Sequence, residues 1–361
     1  MKAKEASTAD AEVLFEQRGV AGIITLNRPR ALNAVTHSMV RALTLALREW
    51  ARDSAISRVI IQAADDRAFS AGGDIRALYA LGQSGRHSEA LAFWREEYVL
   101  NTLIKRYPKP FIALIDGITM GGGVGLAIHG SHRIAGDRFL FAMPEVGIGF
   151  FPDVGATWFL PRMPGETGTY LALTGERLKA ADGVAFGLAT QYVRSTRFPE
   201  LINALAETES VDNVMKRFSE RLGLGATGVH RAAIDRLFAH DRVEEILLAL
   251  GKESLSGGPE AGWASASAAI IRSKSPTSLK IALSQVRHGK DMSFADCMRT
   301  EFRIVNRIIH GHDFYEGVRA VIIDKDNAPQ WRPSELSEVT EARVKAHLAP
   351  LDDSKQELVL P

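Results

Sequence analysis

Three consecutive glycines, Gly121, Gly122 and Gly123, stand between an apolar run and a segment of helical character. The stretch reads "DGITMGGGVGLAIHG", residues 116–130, and it overlaps the end of the strand-like run "FIALIDGIT". Glycine has no Cβ, so backbone there can lie against other backbone or against a ligand. A helix that opens on glycine presents amide N–H groups without intrahelical partners at its positive end. A second corner, "AFSAGGDIR", residues 68–76, follows another strand at a small-residue turn. Two such corners can aim two N–H groups at one oxygen, the arrangement that stabilises a developing oxyanion. Close packing of helix on strand, with no ligand, explains either corner taken alone. The glycines do not fit G-x-G-x-x-G and no Lys-Ser/Thr follows them, which sets aside a dinucleotide fingerprint and a P-loop.

The surrounding pattern indicates the fold class. "AGIITLNRP" reads as a strand stopped by Pro29, and "HSMVRALTLALREW" as a helix with Val40, Leu43, Leu47 and Trp50 at helical spacing. "RVIIQAADD" and "FIALIDGIT" read as a second and a third strand, apolar enough to be covered on both faces. This alternation predicts an α/β fold. Residues 78–107 read as helix on both sides of a "GQSG" loop. Beyond about residue 200 the strand signals fade, and "SVDNVMKRFSERL", "HRAAIDRLFAH", "VEEILLALG", "SASAAIIRS", "PTSLKIALSQVRHG" and "FADCMRTEFRIVNRIIH" all read as helices. Ser275-Pro276 is a helix start with proline in the first turn. The tail reads as a short helix and a loose terminus. The expected organisation is a core carrying the active site over 1–200 and a helical C-terminal region over 201–361.

Charge and cysteine usage narrow the function classes. The 361 residues carry 44 basic and 43 acidic side chains, net +1, which argues against general nucleic-acid binding. Cys297 is the single cysteine, so no internal disulfide forms, as expected in a reducing compartment. It reads as a small buried apolar residue. No apolar run reaches the length of a membrane span, and "MKAKEASTADAEVLF" has no signal-peptide core. A soluble, cytoplasmic protein is expected.

The segment "FAMPEVGIGFFPDVG", residues 141–155, places Glu145 and Asp153 among Phe141, Met143, Val146, Ile148, Phe150 and Phe151. Two close acids in an apolar pocket titrate as a coupled pair, with at least one raised pKa.

The two glycine corners, in this order and followed by "MPEVGIGFFPDVGAT", resemble the crotonase (enoyl-CoA hydratase/isomerase) superfamily. "TLNRPRALNA" at 25–34 and "LALTGERLKAADGVAFGLATQYV" at 171–193 support the resemblance. "FWREEYVLN", "GITMGGGVGL", "FAMPE", "FPDVG", "SPTSLKIAL" and "GHDFYEGVRAVIIDKDNAPQW" are similar to its 3-hydroxyisobutyryl-CoA hydrolase branch. The resemblance implies a spiral core of repeated ββα units with a helical C-terminal region. It implies an acyl-CoA thioester as substrate, with coenzyme A as part of that substrate, no separate cofactor and no metal. The matching oxyanion positions are Gly73 and Gly122, and the matching acids are Glu145 and Asp153. Glu97 matches a substrate-contacting position and is expected at the 3-hydroxyl. Coenzyme A contacts are expected at Arg30, Ala71, Asp74, Ile75 and Lys325. Members often form trimers, so a homo-oligomer is an open expectation here.

Hydratases of the superfamily use a second glutamate three residues after the second oxyanion glycine. That position here is Gly125, which has no carboxylate, whereas Asp153 stands where hydratases commonly have glycine. Adding water across a double bond needs an acid and a base together. The resemblance therefore implies a thioester hydrolase of valine catabolism, with a hydratase or isomerase as the alternative. Three further readings stay open at this point. Ser70 in "AFSAG" is near a nucleophile elbow, although Ala68 occupies the first glycine position. His129 with His132, or His310 with His312, could hold a metal. A non-catalytic scaffold could keep the same fold.

Overall fold

Apolar runs need cover on both faces, and the computed structural model, which describes residues 11–361, gives it to them. Strand β2 (Ala21–Leu26) pairs antiparallel with β1 (Val13–Arg18) and parallel with β3 (Arg58–Ala63). β3 pairs with β5 (Phe111–Ile115), β5 with β7 (His132–Ala135) and β7 with β10 (Gln191–Tyr192), all parallel. A second sheet runs in the order β4 (Ala68–Ser70), β6 (Ile118–Met120), β8 (Leu140–Ala142) and β9 (Leu178–Lys179). Each step of the chain thus adds one strand to each sheet: β3 then β4, β5 then β6, β7 then β8. This is the ββα winding that the resemblance implies.

Two compact units share the described chain, each built from three segments. The first takes residues up to 73, 103–141 and 178–225. Its core sets Ile23, Ile60, Ile112, Leu114 and Ile134 of the large sheet against Leu201, Leu205, Val214, Met215 and Phe218 of two helices. Helix α1 (His37–Arg52) buries Met39, Val40, Leu43 and Leu47, and Thr36 caps it by accepting from the Met39 N–H.

The second unit takes residues 74–102, 142–177 and 226–361. It is almost wholly helical. Helix α2 (Ile75–Gln83) and most of α3 (His87–Lys105) belong to it, as do Val243–Ser254, Ala261–Arg272, Pro276–Gly289 and Phe294–Ile308. Ser275 caps its helix through the Ser278 N–H, with Pro276 in the first turn as the sequence indicates. Neither unit is bounded at residue 200.

Three local expectations change. "FIALIDGIT" is two strands rather than one, because Gly117 turns the chain at φ +94 between β5 and β6. A Cβ at Gly117 would meet the Arg67 carbonyl at 2.7 Å. β1 went unread, since most of its side chains are exposed and show no apolar alternation. The C-terminus is held rather than loose: Leu358 is buried, Arg95 donates to the Glu357 carbonyl at 2.8 Å, and Arg303 pairs with the Glu357 carboxylate at 2.9 Å. Cys297 is buried, and that burial, with Glu301 nearby, pushes its thiol up to about 12. Among the described residues no helix is long and apolar enough to cross a membrane. Residues 1–10, on which much of the signal-peptide reading rests, lie outside the described residues.

The triple glycine opens a short helix, α4 (Gly122–Ala127). Gly121 takes φ 45, ψ −126, and a Cβ on Gly123 would lie 2.4 Å from the Ser70 carbonyl oxygen. Gly251, inside the helix Val243–Ser254, faces open space. Gly123→Ala is therefore expected to destabilise the protein by about 1–3 kcal/mol through overpacking. Gly251→Ala is expected to stabilise it by about 0.5–1 kcal/mol through helix propensity. Thermal or urea unfolding of the two variants checks the opposite signs.

Candidate active site

The glycine corners meet inside the first unit. Gly72 takes φ +113, and a Cβ there would be 3.3 Å from the Met120 carbonyl oxygen and 3.7 Å from the Gly122 nitrogen. Backbone of the first corner thus lies directly against backbone of the second. Gly122 is the first residue of α4, where N–H groups have no acceptor within the helix. Gly73 forms a bridge with Val35. The loop "NRPRALNA" braces the corner. The buried Asn33 side chain donates to the Ala68 carbonyl at 2.9 Å and accepts from the Arg28 N–H at 2.8 Å. Ser70 donates to the Asn33 carbonyl at 2.8 Å and is fully buried. Its hydroxyl is committed to backbone rather than to a base, which is a structural role and not that of a nucleophile.

The acids meet inside the second unit. Glu97, Glu145 and Asp153 are 2%, 5% and 4% exposed, values almost never found for acids without a specific partner. Tyr98 donates its hydroxyl to Asp153 Oδ2 at 2.9 Å. Oε1 of Glu97 and Oε2 of Glu145 have no hydrogen-bond partner. Burial, followed by the Asp153 charge, holds both glutamates well above the ordinary carboxylate range. Burial pushes Asp153 itself up to about 7, with the Tyr98 hydroxyl pulling the other way. Local structure explains how the acids are placed. Residues Glu145–Ile148 form a single 3-10 turn, ended by Gly149 at φ 67, whose position against the Asp313 carbonyl leaves no room for a Cβ. Phe150 then stacks on Trp94 at 5.6 Å and packs against Phe314 at 5.6 Å. Asp153 follows, and Val154 and Gly155 turn the chain at φ 52 and +92.

Three residues absent from the sequence reading complete this unit's site. Glu301, fully buried, accepts from the Gly155 N–H and the Thr157 N–H, each at 2.8 Å. It binds the turn immediately after Asp153 and the start of helix α5 (Ala156–Phe159). Burial and the Asp153 charge push Glu301 up to about 8 against the pull of those two amides. Gln285 donates to the Pro152 carbonyl at 3.1 Å and to Thr157 Oγ1 at 2.8 Å. Asn101 is fully buried one helical turn from Glu97. The signal was available for two of them. Met298, Glu301, Val305 and Ile308 follow the 3–4 spacing of a core stripe, and so do Trp94, Glu97, Tyr98 and Asn101. A polar side chain on such a stripe points to a partner or a ligand.

The remaining candidates are dispersed. In the first unit Arg30 is exposed in the turn Pro29–Ala31, and Ala71 immediately precedes the glycine pair. In the second, Asp74 caps α2 by accepting from the Ala77 N–H, Ile75 opens that helix, and Lys325 is exposed at φ 59. His310 packs on His87 at 4.5 Å between ring centroids, and His132 lies beside Ser131. Among the described residues no three His, Cys, Asp or Glu side chains are grouped as a metal ion would need.

Comparison with known proteins shows the family. The chain matches the enoyl-CoA hydratase/isomerase family over residues 21–348. It is 45% identical to the mitochondrial 3-hydroxyisobutyryl-CoA hydrolase of Danio rerio over 96% of this chain and 92% of that one. It is 41% identical to the Homo sapiens protein of the same name over 95% and 90%. Among solved structures, a carnitinyl-CoA dehydratase from Mycobacterium thermoresistibile superposes with a TM-score of 0.89 at 39% identity, over 97% of this chain and 99% of that one. An enoyl-CoA hydratase from Rhodobacter sphaeroides does so with 0.89 at 38%, over 97% and 100%. The relatives' names place those proteins in mitochondria, so the cytoplasmic expectation draws no support from them. A family match over most of its length, with sequence identity above 40% and two superposable structures, makes this chain a member of the enoyl-CoA hydratase/isomerase family.

Proposed function

We propose that this chain hydrolyses 3-hydroxyisobutyryl-CoA to 3-hydroxyisobutyrate and coenzyme A, a step of valine breakdown. The observation that carries the reading is the buried acid group: Glu145 with an unpaired oxygen, in the same unit as Asp153 and Glu97. Gly125, the position of the second hydratase acid, has no side chain to offer. The acyl group is taken from the names of the relatives.

In this reading the N–H groups of Gly73 and Gly122 hold the thioester oxygen, where negative charge develops. Glu145 acts at the carbonyl carbon by one of two routes. Its carboxylate oxygen attacks, the C–S bond breaks, CoA thiolate leaves, and water opens the mixed anhydride. Alternatively, it takes a proton from water as that water adds to the carbonyl, and the tetrahedral adduct collapses with cleavage of the C–S bond and departure of CoA thiolate. Asp153 titrates near neutrality, which suits a group that moves a proton to the leaving sulfur. Glu97 accepts the substrate 3-hydroxyl. Arg30, Ala71, Asp74, Ile75 and Lys325 are the proposed coenzyme A contacts. Coenzyme A enters as part of the substrate, and the route asks for no resident cofactor or metal. We further propose a cytoplasmic location and a homo-oligomeric state, read out by fractionation and light scattering.

A hydratase reading has its own support in the names of the two superposable structures. Purified protein given 3-hydroxyisobutyryl-CoA and an enoyl-CoA separates the two: a hydrolase releases free thiol, and a hydratase consumes the enoyl absorbance without thiol.

Glu145→Gln is expected to lower thiol release by ~10²–10⁴-fold while acyl-CoA binding persists. Full turnover by that variant would end the assignment. Single-turnover hydrolysis in ¹⁸O-water distinguishes the routes, because label enters Glu145 only through the anhydride.

The acids also set a stability profile. A carboxyl whose folded pKa lies above its ordinary 3.8 favours the folded state most at low pH, and that support disappears as pH rises through about 7. Asp153→Asn keeps an acceptor for Tyr98 and has no charge to bury. Its melting temperature is expected to exceed wild type at pH 8 by about 2 °C or more, with the gap closing toward pH 4.

Glu301→Gln has the opposite sign. It turns an N–H donor toward one of two backbone N–H groups, and is expected to destabilise by about 1–3 kcal/mol at neutral pH. Urea unfolding of the two variants compares them directly.

A further inference from the structure

Asn101 is fully buried in α3, and neither its side-chain nitrogen nor its oxygen has a hydrogen-bond partner. A primary amide offers two N–H donors and an acceptor oxygen. Native interiors rarely leave such a group wholly unmet, because both of its ends lose water for nothing. The surroundings point to what meets it. Trp94, Glu97, Tyr98 and Asn101 share one face of α3 at spacings of three, four and seven residues. That face is turned to the segment carrying the acids: Trp94 stacks on Phe150 at 5.6 Å, and Tyr98 donates to Asp153 at 2.9 Å. Glu97, one turn before Asn101, has its own unpartnered oxygen, as does Glu145. A stripe built only for packing would be apolar at 97 and 101. This one carries three unmet polar groups with its neighbouring segment, in a region otherwise closed by aromatic rings.

We propose that Asn101 is a specificity-determining residue that binds the 3-hydroxyl of the acyl group together with Glu97, its amide donating to the hydroxyl oxygen. The inference rests on the reading of this chain as a 3-hydroxyacyl-CoA hydrolase and names who recognises the hydroxyl. The chemistry is complementary. A hydroxyl both donates and accepts, so one carboxyl oxygen satisfies half of it. An uncharged amide supplies the other half without adding charge beside acids that already share a desolvated space. An acyl group lacking the hydroxyl leaves two buried polar groups unpaired, which is the strong form of substrate discrimination.

The test measures kcat/KM for 3-hydroxyisobutyryl-CoA and for isobutyryl-CoA, the same acyl group without the hydroxyl. Wild type, Asn101→Leu and Asn101→Asp are compared, with thermal melting alongside. Leucine keeps the volume and removes both polar ends; aspartate keeps the shape and removes both N–H donors, leaving at most one O–H when protonated, and it serves if the leucine variant fails to fold. The expected result is a fall of ~10-fold or more in the ratio of the two kcat/KM values in both variants. A merely structural role lowers both substrates alike and leaves that ratio unchanged, and an unchanged ratio overturns the proposal. Wild-type protein that releases thiol from neither substrate overturns the hydrolase reading itself, and this inference with it.

Discussion

Removing carboxylates from water is the constraint around which the second unit is organised. An ionised acid in a dry interior is costly unless it is paired or hydrogen-bonded. Glu97, Glu145, Asp153 and Glu301 are all buried there, and Asp153 appears among the electrostatic neighbours of the other three. No lysine or arginine is hydrogen-bonded to any of them in the described structure; the tyrosine hydroxyl of Tyr98 and two backbone amides carry that load instead. The consequence is a set of carboxyl groups all raised above their ordinary range, with Asp153 pushed up to about 7, where a carboxyl can exchange protons with a substrate.

Such a group needs a rigid surround, and the helical C-terminal region provides much of it. Gly149 passes against the backbone of Asp313 with no space for a side chain. Phe150 is fixed in a three-ring cluster with Trp94 and Phe314, which also pack on each other at 6.1 Å. Gln285 holds the carbonyl of Pro152, and Glu301 holds the amides of Gly155 and Thr157. Asp153 is therefore gripped on both sides by helices that lie more than a hundred residues away in sequence. The late helices belong to the same compact unit as the acids, which gives them a direct part in positioning the site.

This arrangement explains what could be read from sequence and what could not. Glu145 and Asp153 stood out because two acids in a run of Phe, Val and Ile contradict the local hydropathy. The strands β2 and β3 and helix α1 followed from periodicity that needs no distant partner. Asp116-Gly117 is a turn signal that the apolar run around it masked, and in the fold Gly117 turns at φ +94 where a Cβ would meet the Arg67 carbonyl. The C-terminus looked loose by composition, yet Arg95 and Arg303 hold Glu357. Glu301 and Asn101 lay on readable helical stripes, but a polar residue on a stripe says only that a partner is needed. Which partner depends on tertiary placement. The glycine corners were legible as close approaches of backbone, and Gly72 against Gly122 bears that out; their role toward a thioester is chemistry that backbone packing alone does not supply.

The loss of an acid at Gly125 and the gain of one at Asp153 have a physical logic of their own. Hydration and thioester cleavage share the need to stabilise an oxyanion, so backbone donors suit both. They differ in what happens next. Hydration must deliver a proton to carbon and a hydroxyl to its neighbour, which asks for two groups working on the same double bond. Thioester cleavage needs one oxygen at the carbonyl carbon and one proton for a departing sulfur. In the proposed reading, Glu145 with its unpaired oxygen and Asp153, pushed up to about 7, divide that work between them. On that reading the change of acids redirects the chemistry, while a dry, rigid enclosure and backbone donors serve both reactions.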